Sequence, residues 1–309
     1  MQTQTQTQTQ TLTGSGGVNL VYDKLGPADG QPVVLLHGGG QTRGSWGSLA
    51  VSLAAEGYNV LSLDLRGHGE SEWAPDGDYA FSSYRDDVRA LVSGLAGPPI
   101  MIGASLGGLA ALLAVGEEPQ IPARALVLVD ITPWIDAQET SKIAEFMMAR
   151  PEGFADLEDA GRSIAEYLPH RRRPDDLSGL ARSLKPSPHG RLKWHWDPAI
   201  MRPAEGQDDR TERMVEAARK VSIPALLVRG ALSRIVTREN VAALSRIIPD
   251  LHTVEVAGAG HMVAGDSNGA FDRVILDFFR AANLTAALPA VSRPPPSQTR
   301  AVPHRTDLR

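Results

Sequence analysis

The chain has 309 residues, 22% charged and 42% hydrophobic, a globular balance that can bury a core without covalent staples. Cysteine is absent, which excludes disulfides, thiolate metal sites and a cysteine nucleophile. The formal net charge of −5 argues against nucleic acid as a partner, and no apolar run reaches the roughly 20 residues that span a bilayer.

The chain opens on a Gln-Thr repeat, MQTQTQTQTQ, which lacks the basic and apolar regions of a secretory leader. A soluble cytoplasmic protein is therefore expected. Residues 1–17 carry no charge and little to bury, so they are predicted to be a disordered tail. Val18–Leu25 reads as an antiparallel edge strand. Short apolar runs then alternate with amphipathic stretches. Pro32–Leu36, Asn59–Leu65, Pro98–Ile102, Ala125–Val129, Pro224–Val228 and Leu251–Val256 have the length and branching of buried parallel strands. Ser45–Glu56, Phe81–Leu95, Leu106–Val115, Arg238–Ile248 and Ala270–Ala281 read as helices, the last preceded by the capping residues Asp266, Ser267 and Asn268. Such alternation predicts an α/β fold with a doubly wound, mostly parallel sheet.

The alternation breaks once. Residues 133–203 are polar and helical in pattern with no convincing strand, too long a stretch for a crossover. They are predicted to form a helical cap inserted between core segments 18–132 and 204–284. Such a cap lies over the carboxyl ends of the strands, where open α/β sheets bind ligands. Residues 285–309, with Pro289, Pro294, Pro295, Pro296 and Pro303 and a net charge of +3, read as a second disordered tail.

Three motifs carry chemistry. Gly103-Ala104-Ser105-Leu106-Gly107 stands directly after one predicted strand and before a helix. This G-x-S-x-G context forces the serine onto a sharp turn at the positive end of a helix dipole, as a nucleophile requires. His37-Gly38-Gly39-Gly40 follows another strand, and its glycines let backbone amides face a developing oxyanion. Either Gly38 or Gly39 can donate. Gly39 is preferred, paired with the amide of Leu106, and Gly38 then lines the substrate site. His37 itself reads as a structural histidine. Gly258-Ala259-Gly260-His261-Met262 follows the last strand, and its flexible loop can place an imidazole over the serine as general base.

These segments, with LLHGGGQTRGSW, DLRGHGES, GASLGG and VAGAGHMVAGD, resemble the α/β-hydrolase superfamily over about residues 18–284, in particular its cap-bearing esterase, lactonase and perhydrolase-like group. The resemblance implies a Ser–acid–His triad in that chain order. It also implies a serine nucleophile at Ser105, unlike dehalogenase and epoxide hydrolase relatives, which use aspartate there.

One position departs from the family. Relatives usually carry the triad aspartate where this chain has Arg234, and arginine has no acceptor lone pair. Asp130, at the end of the strand after the nucleophile strand, is the substitute, on the precedent of zearalenone-type lactonases. Glu239 and Asp266 are weaker alternatives.

The cap divides into an acidic half, residues 133–161 with net −5, and a basic half, 162–202 with net +5. The basic half contains Arg171, Arg172, Arg173, Arg191 and Lys193. It reads first as a solvated surface and second as an attractor for a carboxylate-bearing substrate. Trp134, Trp194 and Trp196 are expected to bind an apolar group, whereas His195 can equally pack in the core. The expected activity is cofactor-free and metal-free hydrolysis of a small-molecule ester or lactone. C–C bond hydrolysis, perhydrolysis and non-catalytic ligand binding are the alternatives.

Overall fold

The computed structural model describes residues 7–168, 176–202, 210–266 and 268–286. In chain order these form β1 (Gln8–Thr13), β2 (Asn19–Leu25), β3 (Pro32–Leu36), α1 (Gly47–Ala55), β4 (Asn59–Leu63), α2 (Phe81–Ser93), β5 (Ile100–Ala104), α3 (Ser105–Gly116) and β6 (Ala125–Val129). There follow α4 (Ala137–Met148), α5 (Leu157–Tyr167), α6 (Ser178–Ala181), β7 (Leu184–Pro186), β8 (Leu192–Trp194) and α7 (Arg210–Arg219). The chain ends with β9 (Ala225–Gly230), α8 (Arg238–Ser245), β10 (Leu251–Val256), α9 (Val263–Asp266) and α10 (Asn268–Ala281).

Eight strands form one sheet in the order β1-β2-β4-β3-β5-β6-β9-β10. β1 and β2 run antiparallel at one edge, and β4 through β10 run parallel. The central strands are apolar on both faces because both faces are covered. Along β3, Val34 and Leu36 face a cluster that contains Val88 of α2 and Leu109 of α3, together with Met214 of α7 and Leu244 of α8. Val33 and Leu35 point the other way, into a cluster with Leu49 and Leu53 of α1 and Phe271 and Phe279 of α10. Each fully buried leucine or phenylalanine here contributes about 1.5–3 kcal/mol. Helix α3 is apolar almost all round because it lies between the sheet and two other helices.

Two expectations are corrected and one helix is added. The N-terminal segment 1–17 is not a disordered tail from Gln8 onward, since β1 pairs along its whole length with β2 and takes the edge position expected of Val18–Leu25. An edge strand needs backbone partners more than a buried face, and β-branched threonines suit it. Thr9 also donates a hydrogen bond to Asp23 (2.8 Å), and Gln10 accepts one from Tyr22 (2.6 Å). The segment between β6 and β9 is not purely helical: β7 and β8 make a small antiparallel hairpin, bridged to Phe154. Its strands are too short to leave a periodic signature. Helix α7 was not foreseen either; it packs Met214, Ala217 and Ala218 beside α3. Arg171, Arg172, Arg173 and the tail from residue 287 on lie outside the described residues.

Candidate active site

The connection leaving β3 turns toward β4 on one side and that leaving β5 toward β6 on the other, so the two diverge and open a crevice at the carboxyl ends of the strands. Strand register then fixes what meets in it. Leu36 of β3 lies level with Gly103 of β5, and Ala104 lies level with Val129 of β6. His37, Ser105 and Asp130, each the next residue along, therefore emerge side by side. Val256 of β10, level with Gly230 of β9, starts the loop that carries His261 to the same rim.

Ser105 occupies the β5–α3 turn with φ of 45°, a left-handed conformation that is costly for a side chain other than glycine. The turn is held because the Gly107 amide donates to the His37 carbonyl at 3.1 Å. A Cβ on Gly107 would lie 2.4 Å from the Leu36 carbonyl oxygen and 2.6 Å from that of His37, so only glycine allows α3 this close to β3.

Asp130 is fully buried and also has positive φ, 49°. Its Oδ2 lies 2.7 Å from His261 Nδ1, and its Oδ1 accepts the Gly230 amide at 3.0 Å. A carboxylate can only accept, so Nδ1 carries the proton and Nε2 is the basic nitrogen of His261. The imidazole is partly exposed, with 24% of its side-chain surface open. Arg234 is exposed, and Glu239 is exposed in the first turn of α8. The Asp266 side chain lies outside the described ones.

The glycine loop after β3 sorts its own amides. Gly38 N–H donates to Gln41 Oε1 at 2.9 Å, and Gly40 N–H donates to His68 Nε2 at 3.1 Å. Gly39 is exposed, and among the described residues no acceptor holds its amide or that of Leu106. Gly38 is buried, and a Cβ on it would lie 3.4 Å from the Ser105 Cβ. Gln41 and His68 were not singled out by sequence, although His68 lies in the family-like run DLRGHGES. Nothing in a sequence indicates which amide a distant imidazole will occupy.

His37 has no base to offer. Nδ1–H donates to the Gly38 carbonyl at 2.8 Å, Nε2 accepts the Leu65 amide at 3.0 Å, and burial pushes its pKa down to about 3. His68 and His195 are likewise buried and pushed down to about 3, by desolvation first and then by repulsion among the imidazoles. Their rings form a column, with centroids 5.1 Å apart from His37 to His68 and 6.0 Å from His68 to His195.

That column joins the inserted segment to the sheet. His195 Nδ1 accepts the Gly69 amide at 2.6 Å, and Asp197 accepts from Tyr79 at 2.6 Å. Next to it Trp196 stacks on Trp194 at 4.6 Å. Gly40, with φ of 74°, runs beneath Met147 and Trp196; an added Cβ would lie 3.3 Å and 3.4 Å from their side chains. Trp134 instead packs against the core cluster below, its carbonyl accepting from Thr132 and Asn240. In the basic half, Arg182, Lys185 and Lys193 are exposed and Arg191 donates to the carbonyls of Glu152 and Gly153. Among the described residues no helix is long and apolar enough to cross a membrane, and no cluster of three or more His, Cys, Asp or Glu side chains could hold a metal ion.

The profile of the alpha/beta hydrolase family matches residues 33–274. The chain is 31% identical over 209 residues to 2-(acetamidomethylene)succinate hydrolase of Mesorhizobium japonicum, covering 67% of this chain and 73% of that one. It is 29% identical over 254 residues to an esterase of Mycobacterium tuberculosis, covering 79% and 80%. The crystal structure of E-2-(acetamidomethylene)succinate hydrolase superposes with a TM-score of 0.77 at 27% identity, over 89% of this chain and all of that one.

Proposed function

The chain belongs to the alpha/beta hydrolase family, and from that membership we propose that it is a serine hydrolase cleaving a small carboxylic ester or lactone through an acyl-enzyme on Ser105. The observation that carries the reading is the 2.7 Å contact between His261 Nδ1 and the buried Asp130, residues 131 apart in sequence, at the rim where Ser105 stands on a strained turn.

Ser105 Oγ attacks the substrate carbonyl while His261 Nε2 takes its proton. Asp130 holds the imidazole in the required tautomer and stabilises the imidazolium. The amides of Gly39 and Leu106 receive the oxyanion, which is consistent with the neighbouring Gly38 and Gly40 amides being engaged elsewhere. His261 returns its proton to the leaving alkoxide. It then activates water, which cleaves the acyl-enzyme and restores Ser105. Residues 133–203 act as a cap, with Met147 and Trp196 above Gly40 as an apolar roof that favours an apolar substrate group. Names such as esterase and hydrolase among the relatives support ester chemistry.

A fluorophosphonate probe tests the reading. Ser105 should be the labelled residue, and His261→Ala should abolish labelling. An unlabelled Ser105 would favour a non-catalytic binding protein. A substrate panel of p-nitrophenyl esters, lactones and vinylogous diketones separates ester hydrolysis from C–C cleavage; turnover of the diketones alone would overturn the ester assignment.

A further inference from the structure

The loop after β9, residues 231–237, contains no carboxylate, yet it reaches the acid at the end of β6. Ser233 Oγ lies 2.5 Å from Asp130 Oδ2, the same oxygen that meets His261 Nδ1 at 2.7 Å. The Gly230 amide from the start of that loop takes Oδ1 at 3.0 Å. Both carboxylate oxygens are thus held by one short loop. The ionised carboxylate cannot donate, so the Ser233 hydroxyl proton points to Asp130. The lone pairs of Oγ face the amides of Ile235 at 3.2 Å and Val236 at 3.4 Å, which fixes the hydroxyl's rotation.

The loop is itself clamped. Arg229 donates through Nε to the Val236 carbonyl at 2.6 Å and through Nη2 to the Ser233 carbonyl at 3.1 Å. Its Nη1 pairs with Glu255 on β10 at 2.5 Å. Ser233 is only 7% exposed, and Asp130 is fully buried at a positive φ that the surroundings must enforce.

We propose that Ser233 is a positioning residue of the hydrolytic site: its hydroxyl fixes Asp130 in the rotamer that receives the His261 Nδ1–H. It acts through Asp130 and touches no substrate. The inference rests on the triad reading above, and the experiment keeps the two apart.

Ser233→Ala, Ser233→Thr and Asp130→Asn are compared with the parent chain on a p-nitrophenyl ester, alongside melting temperature and the far-downfield proton resonance of the Asp130–His261 hydrogen bond. Ser233→Ala should lower kcat by about tenfold or more, the scale on which outer hydrogen-bond partners of functional imidazoles act, with KM changed less than about twofold. The downfield resonance should move in Ser233→Ala, and both it and kcat should recover in Ser233→Thr. Ser233→Cys, close in shape but a weak donor, carries the same expectation should the alanine variant not fold. Parental kcat and an unmoved resonance in Ser233→Ala, with Asp130→Asn inactive, overturn the inference alone. Equal loss in the alanine and threonine variants also overturns it. An active Asp130→Asn overturns the triad beneath it.

Discussion

Ser105, Asp130 and Gly230 stand at the ends of strands whose register is fixed by continuous ladders and two apolar clusters, whereas Met147 and Trp196 reach the same rim from a segment of short helices and a three-residue hairpin. The first set is placed by backbone pairing that no single side chain controls. The second is placed by side-chain contacts: the His37–His68–His195 column, the Trp194–Trp196 stack and the Tyr79–Asp197 bond. Under the proposed reaction, the strand ends form a shelf for the groups that must keep reacting geometry, and the inserted segment forms a roof for those that would select what enters. Sub-ångström demands of catalysis fall on the former, and tolerance of variation on the latter.

The largest expected effect breaks the shelf alone. Asp130→Asn should reduce kcat about 10⁴-fold, as loss of the orienting acid does in serine triads, with substrate preference unchanged across an ester panel. A changed preference would mean that the shelf also selects. Gly107→Ala attacks the shelf through the backbone, driving Cβ into the Leu36 and His37 carbonyls; denaturant unfolding should show a loss of about 3 kcal/mol or more.

Acid should act on the joint between the two regions. His37, His68 and His195 are neutral in the folded chain and held down at about 3, below their ordinary 6.5. Between those values the unfolded chain binds more protons, so stability is full above about pH 6.5 and falls steeply as pH drops toward 3. Melting temperature against pH should follow that window, and His68→Gln should flatten the dependence. A flat profile in the parent chain would separate the column from the docking.

Trp196→Ala should spare the shelf, raising KM for bulky esters about tenfold while kcat on a small acetate ester stays within about twofold. A collapse of kcat instead would place Trp196 on the catalytic side of the comparison. The smallest effect is expected from Arg234→Ala, in the loop after β9. An exposed side chain there touches neither region, and kcat and melting temperature should both stay near parental values.

Much of this was readable in advance. The strands Pro32–Leu36 and Ala125–Val129 have the bounds their sequences suggest, because a strand buried on both faces must be a continuous apolar run ended by a polar or turn residue, and Leu251–Val256, at the sheet edge, matches in bounds although it is half exposed and polar at three positions. Asp130 was legible as a position, the residue ending the strand after the elbow strand. β1 was not, because an edge strand of glutamine and threonine gains its stability from backbone bonds that leave no hydrophobic pattern. The hairpin β7–β8 was missed because three-residue strands cannot show a period.

By itself the sequence determined the sheet's layers, the strand–turn–helix around Ser105 and the glycine loop after β3, since periodicity and turn chemistry are local properties of the chain. Tertiary structure alone decided which carboxylate meets His261, that Gln41 and His68 occupy the Gly38 and Gly40 amides and leave Gly39 open, and that Ser233 grips Asp130. All but the local Gly38–Gln41 bond join residues on different strand ends. Register, rather than sequence spacing, sets the distances between them, to the few tenths of an ångström that separate a hydrogen bond from a near miss.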